Sequence, residues 1–397
     1  MNTAVASATH PNTMPGLARA TFWLLLAFVA SLQISIAAAS ILLSLTLVCW
    51  VALLVHDKAR PSAPAFFLPL ALYAAATLVS AAFSVDPRTS VIDSKQLVLF
   101  LIVPAVYDIA RGRRGAAVID VIVTVGAISA AFGIIQYGML HYDTLGRRPE
   151  GAMSHYMTYS GLLMLVVCAA VARLVFGSRD RAWPALVMPA LIVALALTFT
   201  RSAWVGACVA VALVLMLRDF RLTALIPVLI ALMFAFAPDR ITNRMVSMFD
   251  LHDPTNQDRL AMVTTGMAMI ESHPLTGVGP SMVQPLYPKY RAANAVNATN
   301  PHLHNVPLQI AAERGLPALA LWLWLIVSLL VSLFRLFRDG GDRVLTSAGL
   351  AAVTAMLGAG LFEYNFGDSE FLMLLLVLVT LPFAATRPDH AAAAAGA

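Results

Sequence analysis

Long apolar runs separated by short polar segments dominate the sequence from about residue 20 to residue 386. A helix crosses the hydrocarbon core of a bilayer with roughly 17–25 apolar residues, and these runs come close to that length. The pattern therefore predicts an all-α polytopic membrane protein with about twelve transmembrane helices. They are expected near residues 20–36, 39–55, 66–83, 96–110, 116–140, 156–176, 183–200, 202–217, 222–237, 316–337, 344–362 and 369–386.

The composition of the chain agrees with a membrane environment. The chain is 60% hydrophobic and 12% charged, with a mean hydropathy of +0.80, whereas a soluble domain carries about 25% charged residues. The formal net charge of +5 does not indicate nucleic acid, because the basic residues lie mostly in short segments between apolar runs. Cys49, Cys168 and Cys208 all lie inside apolar runs, so neither disulfides nor a zinc site are expected.

Lysine and arginine are concentrated in every second segment between the apolar runs, for example at 58–60 and 111–114. Such segments favour the cytoplasmic side, which predicts that both termini are cytoplasmic. The chain then divides into three parts. Helices 1–9 occupy residues 1–237, a long polar loop outside the cytoplasm occupies 238–315, and helices 10–12 with the C-terminal tail occupy 316–397.

The long loop is expected to carry function, since unstructured connections beyond about 12–15 residues are uncommon in compact proteins. Thr255 and Asp258 form an approximate capping box, which predicts an amphipathic helix over 257–272. Its apolar stripe has helical spacing and consists of Leu260, Val263, Met267 and Ile270.

A second helix is predicted at the end of the loop. Asn305 is suited to cap it, Gly315 to end it, and Pro317 follows just beyond. His304 directly precedes this helix, whose positive end disfavours an imidazolium and attracts phosphate oxygens. His304 is therefore a candidate general base near neutral pH, or else a capping or structural histidine. His302 is predicted to be structural.

Two arginines are also candidate functional residues. Arg201 lies between two apolar segments, where a charge is costly, so it indicates either a functional site or an arginine that reaches the membrane boundary. Arg259 opens the amphipathic helix, where a cation opposes the helix dipole. A compensating group is expected nearby, such as Asp258 or a bound anion. An ordinary solvated or ion-paired arginine is the alternative.

Weaker candidates lie in the other outer segments. Arg147, Arg148, Glu363 and Asp368 could orient substrate hydroxyls or a catalytic group, or could simply be interfacial residues. The sequence has no GxxxxGK[ST] phosphate loop and no HExxH pair, so nucleotide-driven transport and metal hydrolysis find little support. Few acidic residues lie within the apolar runs, which weakens the case for a proton-coupled transporter.

Three motifs resemble the bacterial O-antigen ligase and polymerase superfamily. HNVPLQIAAERGLPA, from His304 to Ala318, resembles its signature of His, Asn/Ser/Gln, nine residues, Gly, two residues and Gly/Thr/Tyr. His304, Asn305 and Gly315 match, and Ala318 departs at the last position. TRSAWVG around Arg201 is similar to the arginine-bearing helix start of the family. DRLAMVTTGMAMIESHPLTGVG is similar to the segment that opens its large periplasmic loop, and the likeness covers about residues 185–365.

The resemblance implies an inner-membrane glycosyltransferase of lipopolysaccharide biosynthesis whose active site faces the periplasm. An O-antigen ligase would transfer O-antigen from undecaprenyl diphosphate to lipid A–core, and it would use neither nucleotide nor metal. Arg201 and Arg259 would bind the diphosphate, and His304 would be the essential histidine. A single displacement with His304 as the base predicts inversion. Residues expected to bind substrate are Arg147, Arg148, Asn305, Glu363 and Asp368.

Three alternatives remain open from the sequence. An O-antigen polymerase would use the same chemistry with a lipid-linked sugar as acceptor, and a protein O-oligosaccharyltransferase would transfer the glycan to protein. A lipid or solute transporter with a plugged outer loop belongs to a different class. Chain length and the compact C-terminus favour the ligase slightly over the protein-glycosylating relatives of the superfamily.

Overall fold

The computed structural model describes residues 14–178, 181–236 and 238–388. In these ranges the chain forms sixteen α-helices and three short 3₁₀ helices, and no β-strand. Residue 237, the predicted end of the first part of the chain, lies outside the described residues.

The helices up to the long loop follow the apolar runs closely. They are α1 (Pro15–Ser31), α2 (Ile36–His56), α3 (Phe67–Ala82), α4 (Pro87–Asp93), a 3₁₀ helix (Ser94–Leu101), α5 (Ile102–Ile109), α6 (Arg114–Gly138), α7 (Tyr156–Phe176), α8 (Ala182–Leu197), α9 (Arg201–Arg218), a 3₁₀ helix (Phe220–Ala224) and α10 (Leu225–Phe236).

The long loop and the C-terminal part contain the remaining helices. They are α11 (Asp239–Val246), α12 (Pro254–Ser272), α13 (Val283–Tyr290), α14 (Val306–Arg338), α15 (Arg343–Gly360), a 3₁₀ helix (Asn365–Gly367) and α16 (Ser369–Ala385).

Seven helical segments of the described chain are long and apolar enough to cross a membrane, and five shorter apolar helices accompany them. The predicted total of twelve spans remains a prediction. The predicted span 96–110 is different in the structure, because the helical segment begins at Pro87 and consists of α4, a 3₁₀ helix and α5. Pro104 has no amide hydrogen to donate to the carbonyl four residues earlier, which disfavours a continuous α-helix across this point.

The core of the membrane part is built from α7, α9, α15 and α16. Helix α15 packs against the other three. In contrast, α2 lies at the outside, with Val48 and Val55 well exposed, as expected for a surface that meets lipid. This packing brings the N-terminal ends of α7 and α9 and the turn between α15 and α16 to the side of the molecule where the long loop lies.

Helix α12 begins earlier than the sequence pattern predicts. Pro254 is its first residue, and the side chain of Asp253 caps it by accepting hydrogen bonds from the amides of Thr255 and Asn256. Proline is favoured at a first helical position and aspartate at an N-cap, so this pair outcompetes the predicted Thr255–Asp258 capping box.

The predicted apolar stripe of α12 is largely exposed. Leu260, Val263 and Met267 are exposed, whereas Gly266 and Met269 on the other side are buried. The segment against which α12 packs determines which face of the helix is buried. At Gly266 a Cβ atom would lie 2.8 Å from side-chain atoms of Leu303 and Leu308, so the small residue permits close approach of the segment that leads into α14.

Helix α14 changes direction at Gly315, as the predicted helix end implied. Gly315 has φ +82° and ψ 168°, and a Cβ atom there would lie 2.2 Å from the carbonyl oxygen of Leu275. Only glycine adopts this backbone without strain. The amide of Leu316 donates to the carbonyl of Pro274 at 2.8 Å, so the break ties the loop to the membrane helix.

Candidate active site

A cavity of about 340 Å³ lies where the long loop covers the helix ends. Residues from the segment before α7, from the first turns of α7 and α9, from α11 and α12, and from the turns around residues 304 and 363 line it. Four of the lining residues are arginines: Arg148, Arg201, Arg244 and Arg259. His304 and Glu363 line the same cavity. The structure thus brings together five residues that the sequence singled out, and it adds Arg244.

Arg201 at the start of α9 is held by the long loop. Its guanidinium donates to the carbonyl oxygen of Ser247 at 3.0 Å, to Ser247 Oγ at 3.1 Å and to Asn256 Oδ1 at 3.1 Å. Asp253 lies 3.5 Å away, and the Arg201 side chain is only 4% exposed. Arg201 therefore does not extend to a polar boundary. It ties the connection between α11 and α12 to the membrane helices and adds positive charge to the cavity.

Arg259 is the least compensated of the four arginines. It has no hydrogen bond or ion pair with the described residues, and its Nε atom is buried without a partner. Burial lowers the pKa of Arg259, and the more distant carboxylate of Glu363 opposes that shift. Asp258, one of the compensating groups that the sequence suggested, makes no contact with Arg259, so the guanidinium lines the cavity without a paired carboxylate among the described residues.

The side chain of Asp258 is hydrogen-bonded to a different part of the loop. Its carboxylate accepts hydrogen bonds from the Asn297 amide at 3.1 Å, from Asn297 Nδ2 at 2.7 Å and from Asn300 Nδ2 at 3.2 Å. Three donors satisfy a buried carboxylate well. Asp258 therefore shapes the wall of the cavity around 297–300 and does not neutralise its arginines.

Arg244 was not predicted from the sequence. Burial and the nearby charges of Arg201 and Arg148 lower the pKa of Arg244 to about 10, and its nearest carboxylate, on Asp253, is 3.9 Å away. The sequence contains only a weak signal that Arg244 belongs to the site. Arg240 and Arg244 are four residues apart on α11, yet Arg240 is exposed and pairs with Asp143. Sequence spacing alone could not tell which of the two enters the cavity.

Arg148 approaches the cavity from the segment before α7. Its guanidinium lies 4.2 Å from the centre of the Tyr156 ring, in a cation–π arrangement. Burial lowers the pKa of Arg148. Four arginines that are partly removed from water repel one another, so an anionic ligand in the cavity is strongly favoured by charge.

His304 pairs with a carboxylate. Its Nδ1 atom lies 2.9 Å from Glu363 Oε2. Burial raises the pKa of Glu363, but the facing imidazoles of His304 and His302 outweigh this and lower it to about 2. An ionised Glu363 accepts the hydrogen of Nδ1 and leaves the lone pair of His304 Nε2 available as a base. His304 has φ +49°, a left-handed conformation that is uncommon outside glycine.

His302 also belongs to this cluster, and the prediction that it is structural stays a prediction. Its Nε2 atom lies 3.5 Å from Glu363 Oε1, and its ring centre is 4.1 Å from that of His304. Burial lowers the pKa of His302 to about 4, so the ring is neutral at neutral pH. The His-x-His spacing was the signal in the sequence. The ligand atoms of His302, His304 and Glu363 all lie within 4.8 Å of one another, a geometry that could hold a Zn²⁺-like ion.

Three predicted substrate-binding residues do not line the arginine cavity. Arg147 stacks over the Tyr142 ring at 4.2 Å. Asn305 caps α14 by accepting from the Leu308 amide at 2.9 Å and donates to the Leu361 carbonyl at 3.1 Å, so both ends of its amide are used. Asp368 lines a second, smaller cavity.

The described chain is all-helical, with seven helical segments long and apolar enough to cross a membrane and a cavity whose four arginines suit an anionic ligand. Residues 185–323 match the family model described as O-antigen ligase. This match covers about a third of the chain and agrees with the resemblance that the motifs carry. The matched region runs from α8 into α14 and contains Arg201, Arg244, Arg259 and His304. No curated protein matches the sequence.

Proposed function

We propose that the chain is a glycosyltransferase that transfers O-antigen polysaccharide from undecaprenyl diphosphate to lipid A–core at the periplasmic face of the bacterial inner membrane. The observation that carries this proposal is Arg259, which has no anionic partner among the described residues and lines a cavity with three other arginines. The match to the O-antigen ligase family supports a lipid-linked polysaccharide as substrate.

The cavity is suited to the diphosphate of such a donor. Guanidinium groups pair with phosphate oxygens through two parallel hydrogen bonds, which a lysine cannot reproduce. Arg259 makes no hydrogen bond or ion pair with the described residues, and Arg244 faces only the carboxylate of Asp253 at 3.9 Å, so both guanidinium groups have donors to offer. Arg201 has most of its donors engaged by the loop, so it contributes charge and holds the wall in place.

His304 is placed to act as the general base. Its Nε2 atom would take the proton of the acceptor hydroxyl while the hydroxyl oxygen forms a bond to the anomeric carbon of the donor. The bond from that carbon to the diphosphate oxygen breaks, and its electron pair leaves with the phosphate. The arginines stabilise the charge that develops there. A single displacement of this kind inverts the anomeric configuration.

Glu363 is a positioning residue in this scheme. Its carboxylate holds the hydrogen of His304 on Nδ1 and stabilises the imidazolium that forms when Nε2 accepts a proton. The helix end at Asn305 acts against an imidazolium, so the carboxylate and the helix dipole have opposite effects on the same ring. This environment therefore suits His304 both as the neutral base and as the imidazolium that forms during a catalytic cycle.

Deletion of the gene tests the proposal. We expect core-only lipopolysaccharide, together with long O-antigen that accumulates on the carrier lipid. A core capped with single O-antigen units would indicate a polymerase instead, and a normal lipopolysaccharide ladder would rule the proposal out. Transfer by the purified protein in detergent, from lipid-linked O-antigen to lipid A–core, would further exclude a transporter because detergent supports no gradient.

A further inference from the structure

A second cavity of about 210 Å³ adjoins the arginine cavity. It lies between the first turns of α7 and α16 and the turn that precedes α16. The two cavities share Met157 and Glu363 as lining residues. The carboxylate that orients His304 therefore stands at the boundary between them. Polar groups in the second cavity come from His155, Thr158, His302, Asn365 and Asp368.

The charged side chains that line the first cavity are mainly arginines, whereas the charged groups of the second cavity are carboxyl groups. None of its lining residues is an arginine or lysine, whereas Glu363 and Asp368 contribute carboxyl groups. Burial raises the pKa of Asp368, and Thr158 Oγ1 donates a hydrogen bond to its carboxyl group. A diphosphate would be repelled here. Hydroxyl groups suit the same lining, because they donate to carboxylates and accept from imidazole N–H groups.

Two buried polar atoms in this lining have no hydrogen-bond partner in the described part of the chain. They are Nδ1 of His302 and Oδ1 of Asn365. Buried polar atoms in folded proteins nearly always have a partner, so His302 and Asn365 each retain hydrogen-bonding capacity that the described residues leave unused. The other end of each side chain is engaged, since His302 Nε2 faces Glu363 and Asn365 Nδ2 donates to the Met356 carbonyl at 3.1 Å.

We propose that this second cavity is the acceptor subsite, which holds one neutral, hydroxyl-bearing sugar at the end of the acceptor glycan and presents its hydroxyl to His304. This inference rests on the proposed transferase function. The volume is below the roughly 300–1,000 Å³ of cavities that enclose whole small ligands, so a single sugar residue is the appropriate size. Two adjoining cavities, one cationic and one with carboxyl groups, also separate the leaving diphosphate from the attacking hydroxyl.

Kinetics with separate variation of the two substrates test this assignment. The variants are Asp368→Asn, which keeps an N-cap for α16, and Thr158→Val, which keeps the shape of the side chain but removes its hydroxyl. We expect each to raise the KM for lipid A–core about tenfold, as the loss of one hydrogen bond of about 1.4 kcal/mol implies. The KM for undecaprenyl diphosphate-linked O-antigen should stay within twofold of wild type. Arg244→Gln should show the reverse pattern.

Asp342→Asn is the matched control for the aspartate substitution. Asp342 caps α15 in the same way that Asp368 caps α16, but it lies in the exposed connection between α14 and α15. This control should leave both KM values unchanged. A lipid A–core KM that is unchanged in both Asp368→Asn and Thr158→Val would overturn the acceptor subsite.

Direct binding provides a readout that does not require turnover. Immobilised lipid A–core should bind Asp368→Asn and Thr158→Val about tenfold more weakly than wild type, and undecaprenyl diphosphate should bind all three equally. Equal binding of lipid A–core by all three would contradict the subsite even if no transfer were observed. A wild-type protein that binds lipid A–core in this manner but transfers nothing would instead contradict the proposed function.

Discussion

His304 and Glu363 form a hydrogen bond of 2.9 Å although they are 59 positions apart in the chain. His304 belongs to the end of the long loop, and Glu363 to the turn between α15 and α16. The base and the carboxylate that orients it therefore come from different parts of the chain, and their pairing depends on correct closure of the loop over the helix ends.

The first prediction concerns this pair. His304→Ala should fold normally and lose at least about a hundredfold of transfer activity, since a general base contributes roughly 10²–10⁴-fold. Glu363→Gln keeps the shape but removes the charge, and it should lower kcat with little change in the KM for the lipid-linked donor. Initial rates with purified variants measure both effects. His252→Ala, a substitution of an exposed histidine in the same loop, is the control and should be fully active. Substantial turnover by His304→Ala would end the general-base assignment.

A second prediction concerns the arginine without an anionic partner. Arg259→Gln should weaken binding of undecaprenyl diphosphate by about tenfold or more, because a charge-assisted hydrogen bond to phosphate contributes roughly 1.5–3 kcal/mol. The same substitution should not reduce thermal stability, since no contact of this guanidinium to the described protein residues is lost. Binding titrations and melting curves test the two statements. Arg240→Gln, in an exposed arginine of α11, should bind like wild type; if both variants weaken binding equally, general charge and not this cavity is responsible.

The third prediction separates structural from ligand-binding arginines. Arg201→Lys keeps the charge but cannot satisfy Ser247 and Asn256 together, so it should loosen the connection between α11 and α12. We expect faster proteolysis in the loop, a lower melting temperature and reduced activity. Asn256→Ala should reproduce the proteolysis, because it removes the other side of the same contact. A variant Arg201→Lys with full activity and wild-type proteolysis would contradict this role.

A fourth prediction follows from the neutral state of His302. Burial lowers the pKa of His302 from about 6.5 to about 4, so between these values the unfolded chain binds a proton that the folded protein does not. Stability should therefore decrease as the pH falls from about 6.5 towards 4. His302→Gln removes this titration and should flatten the decrease in melting temperature over that range. An identical pH dependence of stability in wild type and His302→Gln would show that this histidine is not buried in its neutral form.

The fifth prediction concerns metal ions. Because the arginines can supply the charge that stabilises the diphosphate, we expect a chelator to leave transfer activity unchanged. Strong inhibition by the chelator, with recovery on addition of Zn²⁺, would instead assign a metal to His302, His304 and Glu363. Substitution of His302 should then lower metal binding measured directly on the protein.

The sequence by itself determined the all-helical class of fold and indicated most of the charged residues that line the arginine cavity. Apolar runs of membrane length define helical spans whatever their packing, because an unsatisfied backbone in lipid is too costly. Local signals also sufficed for the cap at Asn305 and the helix break at Gly315, since both depend on neighbouring residues only. Arg201, Arg259 and His304 were found because a charge in an apolar run, or at the wrong end of a helix, is unusual in any context.

Only the tertiary structure decided how these residues are paired and what each of them faces. The burial of α12 depends on its contact with the segment leading into α14, so its apolar stripe did not reveal the inner face. Arg201 and Asp258 turned out to be engaged by distant parts of the loop, whereas Arg244 entered the site without a distinctive local pattern. The pairing of His304 with Glu363 has the same origin: hydrogen bonds between residues far apart in the chain depend on packing, which no local pattern encodes.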